Sequence, residues 1–431
     1  MDASLLIFLL FFVLLLLGMP IAFVLGITGT AALLLQGDLL FLSLVPQRMF
    51  AGLNMFTIMA IPFFFLAAEL MSAARITEDL IKFADAIVGR IKGGLAHVNI
   101  VASMFFAGIS GSAISDVAGL GSIEIKVMTK AGYPLKFAAA LTVASSLIGP
   151  MIPPSIIMVI YGSIMQVSIA AMFIGGLIPG VLMALMLMTM VRFMAGKYNF
   201  PRRTEKMPLP QIWQATKNSI LALIMPGIIL GGILSGVFTA TEAAAVAVLY
   251  AFLIGFFVKR TLRLHHLPEI LHKVSILTSV VFMVLASASI VAWYIGLERL
   301  PAGIAKAMTD ITENPYLLLL LVNLLLLVVG MFMDIGAAVI VMAPILAPTM
   351  VEYGVHPVHF GIVMSINLLL GLNTPPVGPC LFAAAGITGL RIEDISVALL
   401  PMYLLQVIFL LLVTYIPALT LTLPQWFGYI K

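Results

Sequence analysis

The chain has 431 residues, of which 62% are hydrophobic and only 9% are charged, with a net charge of +4. Soluble domains carry about 25% charged residues, so this composition excludes a soluble protein and fits one integral membrane domain of about ten spans. Nucleic-acid binding is also disfavoured, because the basic residues lie in short loops between apolar runs rather than on one face.

The first apolar runs are interrupted at defined places. An uncharged run over 3–37 contains Gly18-Met19-Pro20, and glycine and proline both interrupt helices, so it predicts two short helices. An apolar run (49–74) and a charged amphipathic stretch (75–92) follow. The next run, 98–122, is rich in Gly and Ser and too irregular for a plain span, and the run 137–191 contains two spans.

The second part of the chain begins with two basic loops and three plain spans. The loops are 192–217 and 259–273, and the predicted spans are 219–237, 241–258 and 274–297. A polar amphipathic stretch (298–315) follows, and then two interrupted apolar runs (316–350 and 360–387). The last predicted span is 397–423.

Charge asymmetry predicts the orientation of these elements, because loops rich in Lys and Arg stay on the cytoplasmic side. Of the 22 basic residues, 18 lie in five segments that we place inside: 75–93, 123–136, 192–217, 259–273 and 388–396. Arg48, Arg299, Lys306 and Lys431 then lie outside. Both termini are accordingly expected to be periplasmic, which requires the first apolar run to cross twice.

An internal repeat is the most informative feature of the sequence. Gly149-Pro150-Met151-Ile152-Pro153-Pro154 is echoed 222 residues later by Gly371-Leu372-Asn373-Thr374-Pro375-Pro376. The repeat divides the chain into a first unit (1–195), a basic cytoplasmic linker (196–218) and a second unit (219–431). The charge pattern predicts that the two units cross the membrane in opposite directions, as in an inverted repeat.

The repeated Gly/Pro clusters indicate a shared site in the middle of the membrane. A helix can be interrupted in hydrocarbon only where it lines a polar cavity or binds a ligand. Opened helices supply carbonyl oxygens for a hard cation such as Na⁺, and half-helix N-termini attract an anionic group. The alternative is that these prolines only kink packing helices.

The Gly/Ser-rich run suits a helical hairpin that enters the membrane part-way. Ser110, Gly111 and Ser112 lie in its middle, where hydroxyl groups can bind a cation or a carboxylate. The alternative is a helix-packing face of small residues. Asp116 and, in the repeat, Asp334 are intramembrane acids and thus functional candidates, although capping a helix N-terminus is a competing role.

Other polar residues receive structural interpretations. Glu242 follows Thr239 and Thr241 at the start of a span, which is typical of N-capping, and Glu69 is expected to anchor near the cytoplasmic boundary. The sequence contains no GxxxxGK[ST], HExxH or GxSxG motif, so neither ATP hydrolysis nor another enzymatic activity is expected.

These residues resemble a known family. Six segments carry the resemblance: 61–71, 105–116, 149–155, 236–245, 330–334 and 373–376. Over nearly the whole chain they are similar to the large membrane subunit of the tripartite ATP-independent periplasmic (TRAP) transporters, in the ion-transporter superfamily.

The resemblance implies Na⁺-driven uptake of an organic acid, such as a sialic acid or a C4-dicarboxylate, in the bacterial inner membrane. It also implies two partners, a soluble periplasmic substrate-binding protein and a small four-helix membrane subunit, which we expect to be a separate polypeptide. The implied fold is an all-α polytopic elevator, in which two re-entrant hairpins (97–127 and 316–349) and two broken helices (134–164 and 357–387) move against a scaffold. Amphipathic arms at 75–92 and 298–314 would join the two parts.

Within this frame one Na⁺ is expected between the first hairpin tip and the first break, another between the second tip and the second break, and the substrate between them. The candidate Na⁺ residues are Ser110, Gly111, Ser112, Asp116, Gly149, Gly330, Asp334, Gly371, Asn373 and Thr374. The candidate substrate residues are Ser110, Ser112, Pro153, Pro154, Thr374 and Pro375. The competing functions are a stand-alone divalent-anion/sodium symporter, a channel and a non-transporting assembly scaffold.

Overall fold

The computed structural model describes residues 3–35, 40–197, 200–201, 208–298, 312, 314–333, 335–375 and 377–430, and these ranges contain helices and turns but no β-strand. Seven helices in this part of the chain are long and apolar enough to cross a bilayer, or eight if a bent pair counts as one span. The prediction of an all-α polytopic membrane protein is confirmed.

The chain begins with five helices: α1 (Ala3–Leu16), α2 (Ile21–Leu35), α3 (Leu40–Leu53), α4 (Ala60–Ala73) and α5 (Ile76–Val88). The predicted interruption in the first run is present, since Gly18 adopts a left-handed φ of 76° between α1 and α2. A short 3-10 turn, Phe56–Met59, leads into α4. Helix α5 is the predicted first arm, and it packs between α12 (Leu209–Leu234) and α6 (Gly94–Ser110).

The first hairpin, called hairpin 1, covers 94–130. Its outward arm is α6, and its return arm is α7 (Ala113–Asp116), a π-helical turn and α8 (Ser122–Lys130). It is a few residues longer at each end than the predicted 97–127.

The first broken helix consists of α9 (Leu135–Ser146) and α10 (Ile156–Ile164), which are bent by 42° across a short 3-10 turn, Gly149–Met151. Residues 147–155 are called break 1. Two helical segments separated by Gly and Pro are what the sequence predicts there. The long helix α11 (Ile169–Lys197) completes this half.

The second half repeats this order of elements. Helices α12, α13 (Ala240–Leu253) and α14 (Leu267–Leu297) come first. Thr239 and Glu242 cap the start of α13 as predicted: Thr239 Oγ1 accepts from the Glu242 amide at 3.3 Å, and a Glu242 carboxylate oxygen accepts from the Thr239 amide at 2.8 Å. The predicted second arm, 298–314, lies almost wholly outside the described residues.

The second hairpin, called hairpin 2, is formed by α15 (Pro315–Phe332) and α16 (Ile335–Glu352). The second broken helix is α17 (Pro357–Gly371) and α18 (Pro379–Thr388), separated by residues 372–378, called break 2. The chain ends with α19 (Ile392–Tyr415) and α20 (Ala418–Trp426).

The predicted last span, 397–423, is wrong in its end point. Helix α19 stops at Tyr415, and α20 starts separately after Pro417. Proline disfavours a helical conformation at the residue before it, and Ile416 accordingly has φ −121° and ψ 80°.

The helices form two groups. Helices α1–α4 and α12–α14 pack mainly on one another and on α5, and with α5 they are called the scaffold group. Helices α6–α11 and α15–α20 form the central group, and α5 packs on both groups. Helices α11 and α19, which lie outside the predicted hairpins and broken helices, also pack in the central group. Helix α11 packs on α6, α10 and α17, and α19 packs on α9 and α17, because their faces cover the broken helices.

Burial identifies the middle of the central group. Every residue from Phe137 to Ser146 in α9 and from Val358 to Gly371 in α17 is buried. Outward-facing helix surfaces in both groups instead expose large apolar side chains, such as Phe193, Val280 and Val397, as expected of surfaces in contact with lipid. An ion pair between Asp79 in α5 and Lys259 after α13 fixes the arm to the scaffold group.

Candidate functional site

The tip of hairpin 1 lies directly against break 1. Gly111 adopts a left-handed φ of 58°, and a Cβ added there would lie 2.7 Å from the carbonyl oxygen of Pro154. Only glycine permits both this conformation and this close approach. Gly149, Pro153 and Pro154 are buried beside the tip. The structure therefore brings together the predicted first pair of tip and break.

Ser112 begins the return arm of this hairpin. Its Oγ accepts a hydrogen bond from the Ser115 amide at 3.4 Å and caps the N-terminus of α7. The capping role considered for Asp116 therefore belongs to Ser112. The backbone of Ser110 ends α6, but its side chain lies outside the described part of the structure.

The last turn of α15, just before the tip of hairpin 2, meets the end of α17 at the start of break 2 even more closely. A Cβ added to Gly371 would lie 2.4 Å from the carbonyl carbon of Gly330, and one added to Gly330 would lie 3.1 Å from the Leu368 carbonyl oxygen. The two backbones thus touch at the start of the break. Asp334, predicted to stand at this tip, and Pro376 in the break lie outside the described residues.

Break 2 is tied to the first half of the chain through amide side chains. Asn373 Nδ2 donates to the Val143 carbonyl at 2.9 Å, and Gln406 Nε2 donates to the next carbonyl, that of Ala144, at 2.8 Å. The other side-chain atoms, Asn373 Oδ1 and Gln406 Oε1, are buried and accept no hydrogen bond from any described residue. Two free amide oxygens therefore lie close to α9, in the middle of the molecule.

Thr374 lies at the edge of break 2 and is partly exposed. Its Oγ1 donates to the Leu370 carbonyl at 2.8 Å and is 3.0 Å from the Tyr403 hydroxyl. The next residue, Pro375, is exposed. The polar break therefore has a surface that a ligand can reach.

A pair of buried acids lies in the return arm of hairpin 1. Asp116 is 1% exposed and Glu124 is 3% exposed, and none of their four carboxyl oxygens receives a hydrogen bond of ordinary geometry from the described residues. Ser103 lies near Asp116 and Asn99 lies near Glu124, and the two carboxyl groups are near enough to interact electrostatically. An uncompensated buried carboxylate is costly, so each acid here is either protonated or compensated by a cation.

A hydrogen-bonded network beside this acid pair joins α6 to the first broken helix. Asn99 Nδ2 donates to Thr142 Oγ1 at 2.8 Å, and Asn99 Oδ1 accepts from Ser145 Oγ at 2.7 Å. Ser103 Oγ in turn donates to Ser145 Oγ at 3.2 Å. Hydroxyl and amide oxygens of this kind are the ligands that hard cations prefer.

The second half has an equivalent network built from amides. Asn367, at the position equivalent to Ser145 by the 222-residue offset, donates through Nδ2 to Asn323 Oδ1 at 2.8 Å. Asn323 Nδ2 donates to Thr414 Oγ1 at 3.0 Å, and Asn367 Oδ1 is buried without a partner among the described residues. The two halves are therefore similar in layout, but among the described residues only the network of the first half lies beside two buried acids.

Several residues of the site were missed by the sequence analysis. The amides Asn99, Asn323, Asn367 and Gln406 carried a usable signal, since each is a polar residue inside an apolar run. Glu124 did not, because it precedes Lys126 at the start of a segment (123–136) whose basic residues predict a cytoplasmic loop. The structure shows that the return arm of hairpin 1 extends through that segment and buries Glu124.

Comparisons with known proteins agree with this architecture. The family model described as "Tripartite ATP-independent periplasmic transporter, DctM component" matches residues 8–419. The sialic acid TRAP transporter large permease protein SiaM of Vibrio cholerae is 41% identical over 418 residues, covering 96% of each chain. The C4-dicarboxylate TRAP transporter large permease protein DctM of Pseudomonas aeruginosa is 39% identical over 410 residues, covering 94% of each.

A longer relative and a solved structure extend the comparison. The isethionate TRAP transporter permease protein DctMQ of Oleidesulfovibrio alaskensis is 38% identical over 411 residues, which are 95% of this chain but 64% of that protein. The crystal structure of the Alcanivorax borkumensis YdaH transporter matches with a TM-score of 0.62 over 88% of both chains at 14% identity, a likeness of fold alone.

Proposed function

Because the chain belongs to the DctM component family of tripartite ATP-independent periplasmic transporters, we propose that it is the large membrane subunit of a Na⁺-driven uptake system for an organic acid. Its relatives are named as transporter permeases, so it is a transport protein and not an enzyme. We place it in the bacterial inner membrane with both termini in the periplasm, following the distribution of Lys and Arg.

The substrate we propose is an organic acid of the sialic acid or C4-dicarboxylate type. The relatives are named for sialic acid, C4-dicarboxylate and isethionate, all of which are anions. We propose that the substrate lies between the two tips, in contact with Ser110 and Ser112 on one side and with Thr374 and Pro375 on the other. Break 1, with Pro153 and Pro154, would close the remaining side.

The observation that carries the Na⁺ proposal is the buried acid pair beside hairpin 1. Asp116 and Glu124 have no partner for their carboxyl oxygens in the described structure, and a network of hydroxyl and amide oxygens adjoins them. We propose that the first Na⁺ binds between this region, the Gly111 tip and Gly149. The ion would compensate one ionised carboxylate, whose burial otherwise costs several kcal/mol, while the second acid stays protonated.

The second Na⁺ is proposed at the contact of hairpin 2 with break 2. Gly330 and Gly371 bring two backbones together there, and Asn373 and Thr374 add side-chain oxygens. The unpartnered Asn373 Oδ1 supports a ligand at this place, since a buried amide oxygen is rarely left without a donor or a cation. Asp334 is the remaining proposed ligand.

The grouping of helices supports an elevator mechanism. The central group carries both tips and both breaks, and the scaffold group meets it mainly through α4, α5 and α14. We propose that the central group slides as one body against the scaffold group. The first arm, α5, is fixed to the scaffold through Asp79 and Lys259, and it also packs on hairpin 1, as a connecting arm would require.

Two partners complete the proposal, a small four-helix membrane subunit and a periplasmic substrate-binding protein. The existence of a longer relative named DctMQ, of which this chain matches 64%, supports the membrane partner.

Uptake into proteoliposomes tests the function. The chain, its small subunit and its binding protein should accumulate the organic acid when an inward Na⁺ gradient is imposed, with no ATP present. Uptake that is unchanged when K⁺ replaces Na⁺ would refute the coupling. Equal uptake by the chain alone would instead indicate a stand-alone symporter, and no uptake in any combination would favour an assembly scaffold.

Substitution of the acid pair tests the proposed first Na⁺ site. Asp116→Asn and Glu124→Gln should each weaken the apparent Na⁺ affinity by about tenfold or more, because a charged ligand is lost from a buried ion. Glu78→Gln is the matched control, since Glu78 is an exposed acid of the first arm. Unchanged Na⁺ dependence in both acid variants, at normal expression, would remove the acid pair from the site.

A further inference from the structure

A cavity of about 430 Å³ lies between the scaffold group and the central group. Helices α3 and α14 form one wall of the cavity, and the end of α10 together with α16 of hairpin 2 forms the other. Its walls are mostly apolar, with Met55, Ile164, Leu285 and Ile340 among the side chains that line it. Its volume is in the range of about 300–1,000 Å³ that is usual for ligand sites.

One cation lines this apolar cavity. The guanidinium carbon of Arg48 lies 4.8 Å from the centroid of the Trp293 ring, and Arg48 takes part in no ion pair among the described residues. Arg48 is exposed at the cavity. Stacking on an indole orients a guanidinium but does not neutralise its charge, so its hydrogen-bond donors remain free for an anion.

We propose that this cavity is a binding site for one anionic phospholipid. The phosphate binds to the Arg48 guanidinium, and part of one acyl chain lies along the apolar wall between the two helix groups. Arginine and tryptophan together are typical of the level at which lipid headgroups meet the hydrocarbon. A lipid matches both features of the cavity, one positive charge and apolar walls.

The transported organic acid is a poorer match to the same cavity. Such a molecule carries several polar groups, and the apolar walls would leave them without hydrogen-bond partners, which costs free energy. A lipid bound here contacts the scaffold group and hairpin 2 at once, so its occupancy should change when the two groups move. The binding step itself does not depend on the proposed transport activity.

Quenching of Trp293 fluorescence by brominated lipids tests the site directly. Trp213 and Trp426, the other two tryptophans, are replaced by Phe, and the full chain is titrated in detergent micelles with brominated phosphatidylglycerol or brominated phosphatidylcholine. The anionic lipid should reach half-quenching at a mole fraction about fivefold lower, the preference expected for one basic residue. Equal quenching by the two lipids would overturn the proposal.

Three variants assign the preference to the cavity. Arg48→Gln should abolish the preference for phosphatidylglycerol, and Arg48→Lys should retain part of it. Ala292→Phe fills the cavity without changing the charge, and it should weaken quenching by the anionic lipid even if Arg48→Gln does not fold. Lys273→Gln, at the opposite end of α14, is the matched control and should behave as the parent.

Two results would contradict the lipid assignment. Retention of the full preference in folded Arg48→Gln, or in Ala292→Phe, would show that the lipid binds elsewhere. Displacement of the brominated phosphatidylglycerol by inorganic phosphate at millimolar concentration would show a site for small anions, in which the acyl chain plays no part.

Discussion

The contact between Gly330 and Gly371 permits a sharp test of whether the two tips and breaks act as a site. A Cβ at position 371 would lie 2.4 Å from the Gly330 carbonyl carbon and 2.5 Å from its Cα, whereas ordinary contact begins at about 3.4 Å. Gly371→Ala therefore forces hairpin 2 about 1 Å away from the end of α17. Both partners are backbone, so no side-chain rotation can relieve the clash.

The expected consequences are a small loss of stability and a large loss of transport. Overpacking of this kind costs about 1–3 kcal/mol. A shift of about 1 Å in ligand-bearing groups lowers the rate of a process that needs their alignment by about tenfold or more. The assays are the initial rate of Na⁺-driven uptake per inserted protein and the melting temperature of the purified chain in detergent.

Gly386→Ala is the matched control for this experiment. Gly386 lies in α18, the other half of the same broken helix, and a Cβ there meets no heavy atom within 4 Å. Its replacement should leave uptake unchanged and raise stability slightly, because alanine restricts the unfolded chain. Normal uptake by Gly371→Ala would refute the reasoning, as would an equal loss in both variants, which would show that any added methyl group in this broken helix is harmful.

The remaining predictions concern the hydroxyl groups, the arm and the topology. Ser112→Ala and Thr374→Ala should each weaken the apparent Na⁺ affinity of uptake by about tenfold, since water does not replace a ligand lost from a dehydrated ion. If both variants have the Na⁺ titration curve of the wild type, these residues serve helix packing instead. Asp79→Asn breaks the largely buried ion pair between the arm and the rest of the scaffold group. It should lower the free energy of unfolding, measured by denaturant titration, by about 1–3 kcal/mol. An unchanged denaturation midpoint would show that the ion pair does not stabilise the arm. A cysteine placed at Lys431 should react with an impermeant thiol reagent from the periplasm, with little background because the native Cys380 is buried; labelling from the cytoplasm alone would reverse the topology.

Much of the helix layout follows from local chemistry. Proline removes a backbone donor and glycine adds freedom wherever they stand, so the breaks near Gly18, Gly149 and Gly371 were predictable from sequence. The repeat then paired each tip with its own break, and the contact of Gly111 with Pro154 agrees with that pairing. The end of the last span at Tyr415 also had a local signal, the proline at 417, which hydropathy alone did not reveal.

The sequence by itself determined the membrane class, the order of hairpins and broken helices and the segments that carry the candidate site. Only the tertiary structure decided that Glu124 is buried beside Asp116, that Asn99 bonds to Ser145 across 46 residues and that Asn373 reaches Val143 across 230 residues. It also decided that α11 and α19 belong to the central group. The physical reason is that the lipid-facing and protein-facing sides of a membrane helix are equally apolar, so hydropathy does not tell which side a neighbour covers. The partner of a polar side chain inside the membrane is set by packing between distant segments, and that information exists only once the chain has folded.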